Sequence, residues 1–145
     1  MNEPPTPLAS SPLINPSICS LIVITPSEQD LSSISRNCYC NVRRNLFAII
    51  DAARLINVPS FLLSPGSQPG THALAKHLPA PPREFVTGEH AFPWQNPAFT
   101  KALAQEDKAI LVLAGFWLEY QVLATALHAL ADSYDVYVLL DASPA

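Results

Sequence analysis

The sequence predicts a three-layer α/β/α fold built on a mainly parallel, doubly wound, Rossmann-like sheet. Short, almost continuously apolar runs alternate along the chain with longer segments of helical periodicity. Strands of a parallel sheet are buried on both faces, so they read as continuous apolar runs, and helical crossovers must connect them. The alternation therefore favours a parallel sheet with right-handed crossovers.

Five apolar runs predict the strands. They are Cys19–Thr25, Ser60–Ser64, Arg83–Thr87, Ala109–Ala114 and Asp135–Asp141. We expect Ala109–Ala114 to be the central strand with Leu21–Thr25 beside it, because these two runs are the most uniformly apolar.

Three helices are predicted between the strands. Apolar residues recur at three- and four-residue steps from about Asn37 to Asn57, with charged residues between them. Asn96 followed by Pro97 is a favoured helix start, and that helix is expected to end near Gln105. The third helix is expected over Leu118–Ala131.

One domain is expected over residues 19–145, preceded by a flexible Pro/Ser-rich arm over residues 1–18. The first residues include neither a basic segment nor a long apolar run, so no signal peptide is expected. No stretch is apolar for long enough to span a bilayer, so no membrane partner is expected.

Charged residues make up only 14% of the chain, and the formal net charge is -4 at pH 7. This balance leaves no basic surface, so a nucleic-acid partner is not expected. Sparse charge beside 49% hydrophobic residues predicts apolar surface that is covered in a homo-oligomer or by a related subunit.

The three cysteines, Cys19, Cys38 and Cys40, form an odd set without a disulfide framework, which favours a reduced, cytoplasmic setting. Cys38 and Cys40 fall on opposite sides of a helix, so packing is expected of them and a metal pair is not. We therefore predict neither a metal site nor a cofactor.

The carboxyl ends of the predicted strands gather at one edge of the sheet, where ligands bind in this class of fold. Thr25, Thr87, Gly115 and Asp141 stand at these ends. Gly115 permits a backbone conformation closed to other residues, and the following helix start would offer free N–H groups to an anion. Asp141 is expected to accept hydrogen bonds from backbone N–H groups.

A pocket is predicted at this edge around Gln121, which is neither a base nor a good nucleophile and is expected to line it. The other candidate pocket residues are Gly115, Phe116, Trp117, Leu118, Glu119, His90 and Trp94. His90 follows the third strand, whereas Trp94 is expected to pack rather than to bind.

Gln121, Thr125, His128 and Asp132 form a polar stripe along an otherwise apolar helix. Two interpretations stay open for this stripe. It faces solvent, or it contacts another subunit, because the residues around it are too apolar for a free surface.

The segment "AILVLAGFWLEYQVLATALHALADSYDVYVLLDAS" resembles the isochorismatase-like cysteine hydrolase family. In that family an apolar strand and a glycine precede Thr-Glu, the catalytic Cys and Val, and an alanine-rich helix and a strand ending in Asp-Ala follow. The residues in step are Gly115, Glu119, Val122, Thr125, Ala126, Asp135, Val136, Asp141 and Ala142. "HAFPWQNPAFTKAL" is similar to a segment of one branch, through Trp94, Asn96 and Phe99.

The resemblance implies a hydrolase of C–N, ether-like or ester bonds with a Cys nucleophile, an Asp base and a Lys. In this chain those positions are Gln121, Thr25 and Thr87, with Arg83 as the nearest basic neighbour of the last. Threonine holds no negative charge at neutral pH, and glutamine does not attack a carbonyl usefully. None of the three catalytic roles is therefore retained at the aligned positions.

The resemblance also implies a cis peptide bond at Phe116–Trp117, and in the family a further strand and helix follow the point that corresponds to Ala145. An isochorismatase-like sheet that lacks this last strand and helix would have an edge that is open or covered by a partner.

The leading hypothesis is a catalytically degenerate isochorismatase-like protein, a pseudoenzyme that acts as a binding or assembly subunit and has room for a small-molecule ligand. The alternative is an active hydrolase of small amides that uses displaced residues such as His90, Glu89 or Cys38. A third hypothesis is a fragment or divergent copy without a retained function.

Overall fold

The structure is a computed structural model that describes residues 14–27, 32–64, 83–87 and 92–145. In these residues a five-stranded sheet has the order β3-β2-β1-β4-β5, and every neighbouring pair is parallel. The strands are β1 (Cys19–Ile24), β2 (Ser60–Ser64), β3 (Glu84–Val86), β4 (Ile110–Gly115) and β5 (Asp135–Val138). The predicted parallel α/β sheet is confirmed.

The middle of the sheet is β1, whereas the sequence predicts β4 there. The two strands are neighbours, as expected, with Leu21 opposite Val112 and Ile24 opposite Gly115. Every residue of β1 is buried, whereas Ile110 and Val112 of β4 are half-buried. The more completely covered strand therefore takes the central place, since both faces of a central parallel strand are covered by helices.

Three α-helices connect these strands in the described part of the chain: α1 (Arg36–Leu55), α2 (Pro97–Glu106) and α3 (Leu123–Ala131). Ser35 caps α1, because its hydroxyl accepts a hydrogen bond from the Cys38 N–H at 3.2 Å. Asn96 caps α2 by accepting from the N–H groups of Ala98 and Phe99, with Pro97 in the first position. The predicted cap of this helix is confirmed.

The helices lie on both faces of the sheet, which gives the predicted three layers. Val42, Leu46 and Ile50 of α1 pack on one face, against Leu21 and Val23 of β1 among others. The opposite face is covered by α2 and α3. Its buried helical residues are Phe99, Leu103, Ala126 and Ala129.

The segment before β1 is described from residue 14, within the range where the sequence predicts an arm. Pro16–Ile18 form a 3-10 turn whose start is capped by the Asn15 side chain. Ile14 packs against the core on the α1 side of the sheet.

The fifth strand is shorter than predicted and does not reach Asp141. The strand ends at Val138. The Leu139 N–H still donates a hydrogen bond to the Leu113 carbonyl, and the chain then forms a 3-10 segment, Leu140–Ala142. Asp141 is exposed, and its backbone carbonyl accepts a hydrogen bond from the Asn45 side chain at 2.7 Å. The expected role of its side chain as a backbone acceptor is not what the structure shows.

No helix among the described residues is long and apolar enough to cross a bilayer.

Candidate functional site

The strand order reverses between β1 and β4, because β1 continues to β2 on one side and β4 continues to β5 on the other. Crossovers from these two strands leave toward opposite faces of the sheet, and the crevice between them is where ligands bind in open α/β folds. Thr25 and Phe116 follow the two strands directly at this edge. The candidate site therefore lies at the carboxyl ends of β1 and β4.

Gly115 closes β4 against the backbone of β1. Its φ is +130°, and a Cβ atom built there would overlap the carbonyl oxygen of Ile24. The next N–H, that of Phe116, donates to the same Ile24 oxygen at 3.0 Å. Only glycine allows this close approach in this conformation, so the predicted need for a special backbone at Gly115 is met.

The peptide bond between Phe116 and Trp117 is cis, as the resemblance implies. Phe116 is buried with its ring centroid 6.3 Å from that of Tyr39, in the first turns of α1. Trp117 packs edge-on against Phe116 at 5.5 Å. This corner is thus filled by aromatic rings on the α1 side of the sheet.

The chain enters α3 through a π-helical turn, Leu118–Val122. The Leu118 N–H donates to the Pro144 carbonyl at 2.8 Å, and the Tyr120 and Val122 N–H groups donate to the Trp117 carbonyl at 3.1 Å. Three of the N–H groups at this helix start, which were predicted to be free for a ligand, thus donate to backbone carbonyls instead. An open cleft of about 320 Å³ beside the turn is lined by Trp117, Glu119, Tyr120 and Ala145.

A chain of hydroxyl groups occupies the edge beside β1. The Thr25 hydroxyl lies 3.2 Å from the Leu63 carbonyl and 3.3 Å from the Ser64 hydroxyl. Ser64 donates to a carboxylate oxygen of Glu84 at 3.1 Å, and the Thr87 hydroxyl lies 3.4 Å from the Ser64 carbonyl. Thr25, Ser64 and Thr87 are all buried, so the network holds the three strand ends together.

Gln121 turns its carboxamide oxygen into the protein. This oxygen is buried and has no hydrogen-bond partner among the described residues, and the same holds for Thr125 Oγ1 and His128 Nδ1 on the same helix face. Buried polar atoms are nearly always paired, so three unpaired atoms in successive turns are unusual. A buried polar atom that truly lacks a partner costs about 1–3 kcal/mol relative to a paired one.

The predicted polar stripe on this helix is turned partly inward. Thr125 is fully buried, and His128 stacks against Trp94 with a centroid separation of 6.4 Å. Asp132 is exposed but accepts a hydrogen bond from the Trp94 ring nitrogen at 2.7 Å. His128 and Asp132 contact Trp94 before α2, so the solvent-facing interpretation is wrong for Thr125 and His128 and holds for Asp132. Contact of the stripe with another subunit stays a prediction.

The structure resolves two further sequence-based expectations and leaves a third, His90, untested. Trp94 packs, as expected, because its ring meets Phe99 at 5.9 Å in the core beside α2 and α3. Arg83 cannot supply the missing cation at the site. It lies at the amino end of β3, whereas the site lies at the carboxyl ends of the strands, and it pairs with Glu106. His90 lies outside the described residues.

The cysteines do not gather at the site. Cys19 is buried at the amino end of β1, and its thiol lies 3.1 Å from the Asn15 carbonyl. Burial raises the pKa of the Cys19 thiol above its ordinary value of 9.0, which the charge of Lys108 partly offsets. Cys38 packs against the core, as expected, whereas Cys40 is exposed and the packing expected of it was wrong.

Leu118 and Glu119 complete the candidate pocket residues. Leu118 is half-buried against the core beside α2 and α3, and Glu119 is exposed at the rim of the cleft. Across residues 14–27, 32–64, 83–87 and 92–145, no three metal-ligating side chains lie close enough to hold a metal ion.

The sequence did not point to Ser64 or Glu84. Each ends or begins a strand, which is the signal available in the sequence, but their contact depends on the pairing of β2 with β3. The four large apolar side chains exposed along α3 and the turn before it, Tyr120, Leu123, Leu127 and Leu130, were also missed. Their spacing of three, four and three residues was visible in the sequence.

No protein-family model matches the chain. Among curated proteins, the probable hydrolase YcaC of Escherichia coli K12 is 30% identical over 104 residues, which cover 70% of this chain and 50% of YcaC. This chain therefore spans about half the length of the curated relative that it matches.

Solved structures agree with this match. The crystal structure of Escherichia coli YcaC, an octameric hydrolase of unknown specificity, gives a TM-score of 0.77 at 25% identity, covering 90% of this chain and 66% of YcaC. YcaC from Pseudomonas aeruginosa, solved with hexane-2,5-diol and covalent acrylamide, gives 0.76 with the same identity and coverage. N-carbamoylsarcosine amidase from Thermoplasma acidophilum shares the fold, with a TM-score of 0.69 at 17% identity over 88% of this chain and 84% of the amidase.

The sequence match with YcaC and the fold shared with solved isochorismatase structures confirm the predicted resemblance: this chain is similar to the isochorismatase-like hydrolases and has their parallel α/β fold.

Proposed function

We propose that this chain is a catalytically degenerate isochorismatase-like protein that serves as a binding or assembly subunit of an oligomer. One observation carries the proposal: a carboxamide, that of Gln121, stands at the position of the nucleophile. Its oxygen is buried and unpaired among the described residues, and an amide is a poor nucleophile whatever base lies near it.

The surroundings of Gln121 support the same conclusion. The aligned base position is Thr25, whose hydroxyl is committed to contacts with Leu63 and Ser64. The aligned cation position is Thr87, which is buried and contacts the Ser64 carbonyl. A thiolate mechanism needs an ionised sulfur and groups that keep it ionised, and neither is present at these positions.

Two further features support a role in binding or assembly. The cleft beside Trp117 and Glu119 is open enough for a small-molecule ligand. YcaC of Escherichia coli is an octameric hydrolase, which supports a homo-oligomer of this chain as well. We place the protein in the cytoplasm, because its three cysteines are free.

The decisive experiment is a turnover assay of the whole chain on a panel of small primary amides and esters. We expect no release of product above the uncatalysed rate, and no change on Gln121→Ala. Turnover that is lost in Cys38→Ser but kept in the matched variant Cys40→Ser would overturn the proposal in favour of a hydrolase with a displaced nucleophile. The ring of Tyr39 lies 6.3 Å from the ring of Phe116, centroid to centroid, and Cys38 is the neighbour of Tyr39 in the chain, so Cys38 is the thiol to test.

A further inference from the structure

Tyr120, Leu123, Leu127 and Leu130 form an apolar stripe on the outer face of α3 and the turn before it, here called the leucine stripe. Their exposed fractions are 61%, 48%, 58% and 53%. Single exposed leucines are ordinary on protein surfaces, but a contiguous line of large apolar side chains marks an interaction site.

The stripe cannot turn inward, because the opposite face of the same helix is already buried. Val122, Ala126 and Ala129 pack into the core with exposures of 9% or less. These residues alternate with the stripe at helical spacing, so rotating α3 to bury the leucines would expose the core residues. The stripe is thus held toward the outside by the fold itself.

The stripe is uncharged and symmetric along the sequence. Steps of three, four and three residues are those of the seam of two packed helices. Leu123 and Leu127 lie equally far from Thr125, and so do Tyr120 and Leu130. When such a helix meets its own copy in the antiparallel sense, every large side chain therefore faces another large side chain.

Charge is compatible with the same arrangement. Between Glu119 and Asp132 the helix has no formally charged residue, so two copies can meet without burying a charge. Asp132 is held on the far side by Trp94. Glu119 lies as far from Thr125 as Ala131 does, so it would face a methyl group rather than another carboxylate.

We propose that the leucine stripe docks on the leucine stripe of a second copy of this chain. The two helices run antiparallel, and a twofold axis crosses the outer face of α3 at the level of Thr125. Leu123 then meets the partner's Leu127, and Tyr120 meets the partner's Leu130. The contact is isologous, as expected for a twofold pair. This inference rests on the proposed assembly role and specifies the surface that carries it.

The test measures the mass of the whole chain in solution by light scattering or sedimentation. Leu127→Glu places a carboxylate in the middle of the seam and should halve the mass of the species that the unmodified chain forms, since one twofold contact is lost. Leu55→Glu is the matched control, because Leu55 is 77% exposed at the end of α1 and far from the stripe in the fold. It should leave the mass unchanged.

A charge-paired variant tests the orientation. In L123K/L127E, opposite charges face each other across an antiparallel pair, whereas like charges face each other across a parallel pair. Recovery of the mass lost in Leu127→Glu supports the antiparallel contact, and failure to recover it refutes that orientation.

Two outcomes separate this inference from the proposed function. An oligomer whose mass is unchanged in Leu127→Glu refutes the docking surface but leaves the assembly role standing. A monomeric unmodified chain refutes the docking surface and the assembly role together, and would leave the leucine stripe to a different polypeptide. Neither outcome bears on turnover, so the degenerate site is judged by the amide assay alone.

Discussion

Helices α1 and α3 cover opposite faces of one sheet, and they distribute polarity in opposite ways. On α1 the buried side is apolar, with Val42, Leu46 and Ile50, and the exposed side is charged, as in the Arg54–Asp51 pair. On α3 the inner face includes the unpaired polar atoms of Thr125 and His128, and the outer face is the leucine stripe.

The two helices differ in how well each is suited to covering the sheet of a single chain. An amphipathic helix such as α1 is stabilised mainly by burial of its apolar face. The inner face of α3 carries polar atoms without a partner among the described residues, and burying an unpaired polar atom opposes folding, whereas the buried residues of α1 are all apolar. The outer face is the one that we propose docks on a second copy, and the inner face begins at Gln121, the position aligned with the family's nucleophile.

The largest expected effect is at Gly115, because its close contact with the β1 backbone sets where the chain turns from β4 toward α3. Gly115→Ala would force a Cβ into the Ile24 carbonyl at a positive φ, and we expect a loss of more than about 3 kcal/mol of unfolding free energy. Urea unfolding followed by circular dichroism measures it. A midpoint equal to that of the unmodified chain would show that β1 and β4 separate readily.

The next largest effect compares one leucine from each helix. Leu46 is 1% exposed, so Leu46→Ala should cost about 2–5 kcal/mol. Leu127 is 58% exposed, so Leu127→Ala should change the unfolding free energy of the dilute chain by no more than about 0.5 kcal/mol. Equal losses for the two variants at low concentration would mean that the stripe is buried within one chain.

A smaller effect should have opposite signs at two threonines. Thr125→Val removes a buried hydroxyl that has no partner in the part of the chain that the structure describes, and should stabilise the protein by about 1 kcal/mol. Thr25→Val removes a hydroxyl that contacts Leu63 and Ser64, and should destabilise it by a similar amount, about 1 kcal/mol. Thermal unfolding of both variants checks this, and a destabilised Thr125→Val would show that its hydroxyl has a partner.

The smallest expected effect is a difference in reactivity among the three cysteine thiols, two in α1 and one in β1. We expect iodoacetamide to modify exposed Cys40 first, half-buried Cys38 more slowly and Cys19 only on unfolding, as read by mass spectrometry of peptides. The raised pKa of Cys19 adds a pH effect. Its contribution to stability should be complete below about pH 9.0 and be lost as the pH rises through the folded pKa. Early modification of Cys19 at neutral pH would contradict its burial.

Much of the fold could be predicted because its signals are local. An unbroken apolar run is enough to locate β1, and Asn96 before Pro97 is enough to start α2. The central place of β1 could not be predicted in this way, because the coverage of a strand depends on helices from distant parts of the chain.

The site was predicted less completely, for the same reason. Gly115, the cis bond and Gln121 follow from one continuous segment, but the Thr25–Ser64–Glu84 contacts join three strands. Helical periodicity correctly grouped Thr125 with His128 on one face of α3. It could not show that this polar face is the one turned inward, because polar residues normally face outward.

The place of β1 in the sheet also bears on how the chain folds during synthesis. β1 can pair with β2 once residue 64 has been made, but its other edge pairs only with β4, which ends at Gly115. Until then a strand that is apolar at every position but Ser20 presents an unpaired edge, the kind of surface that recruits other chains. The chain should therefore depend on chaperones, or on slow synthesis, most strongly in the interval between β2 and β4.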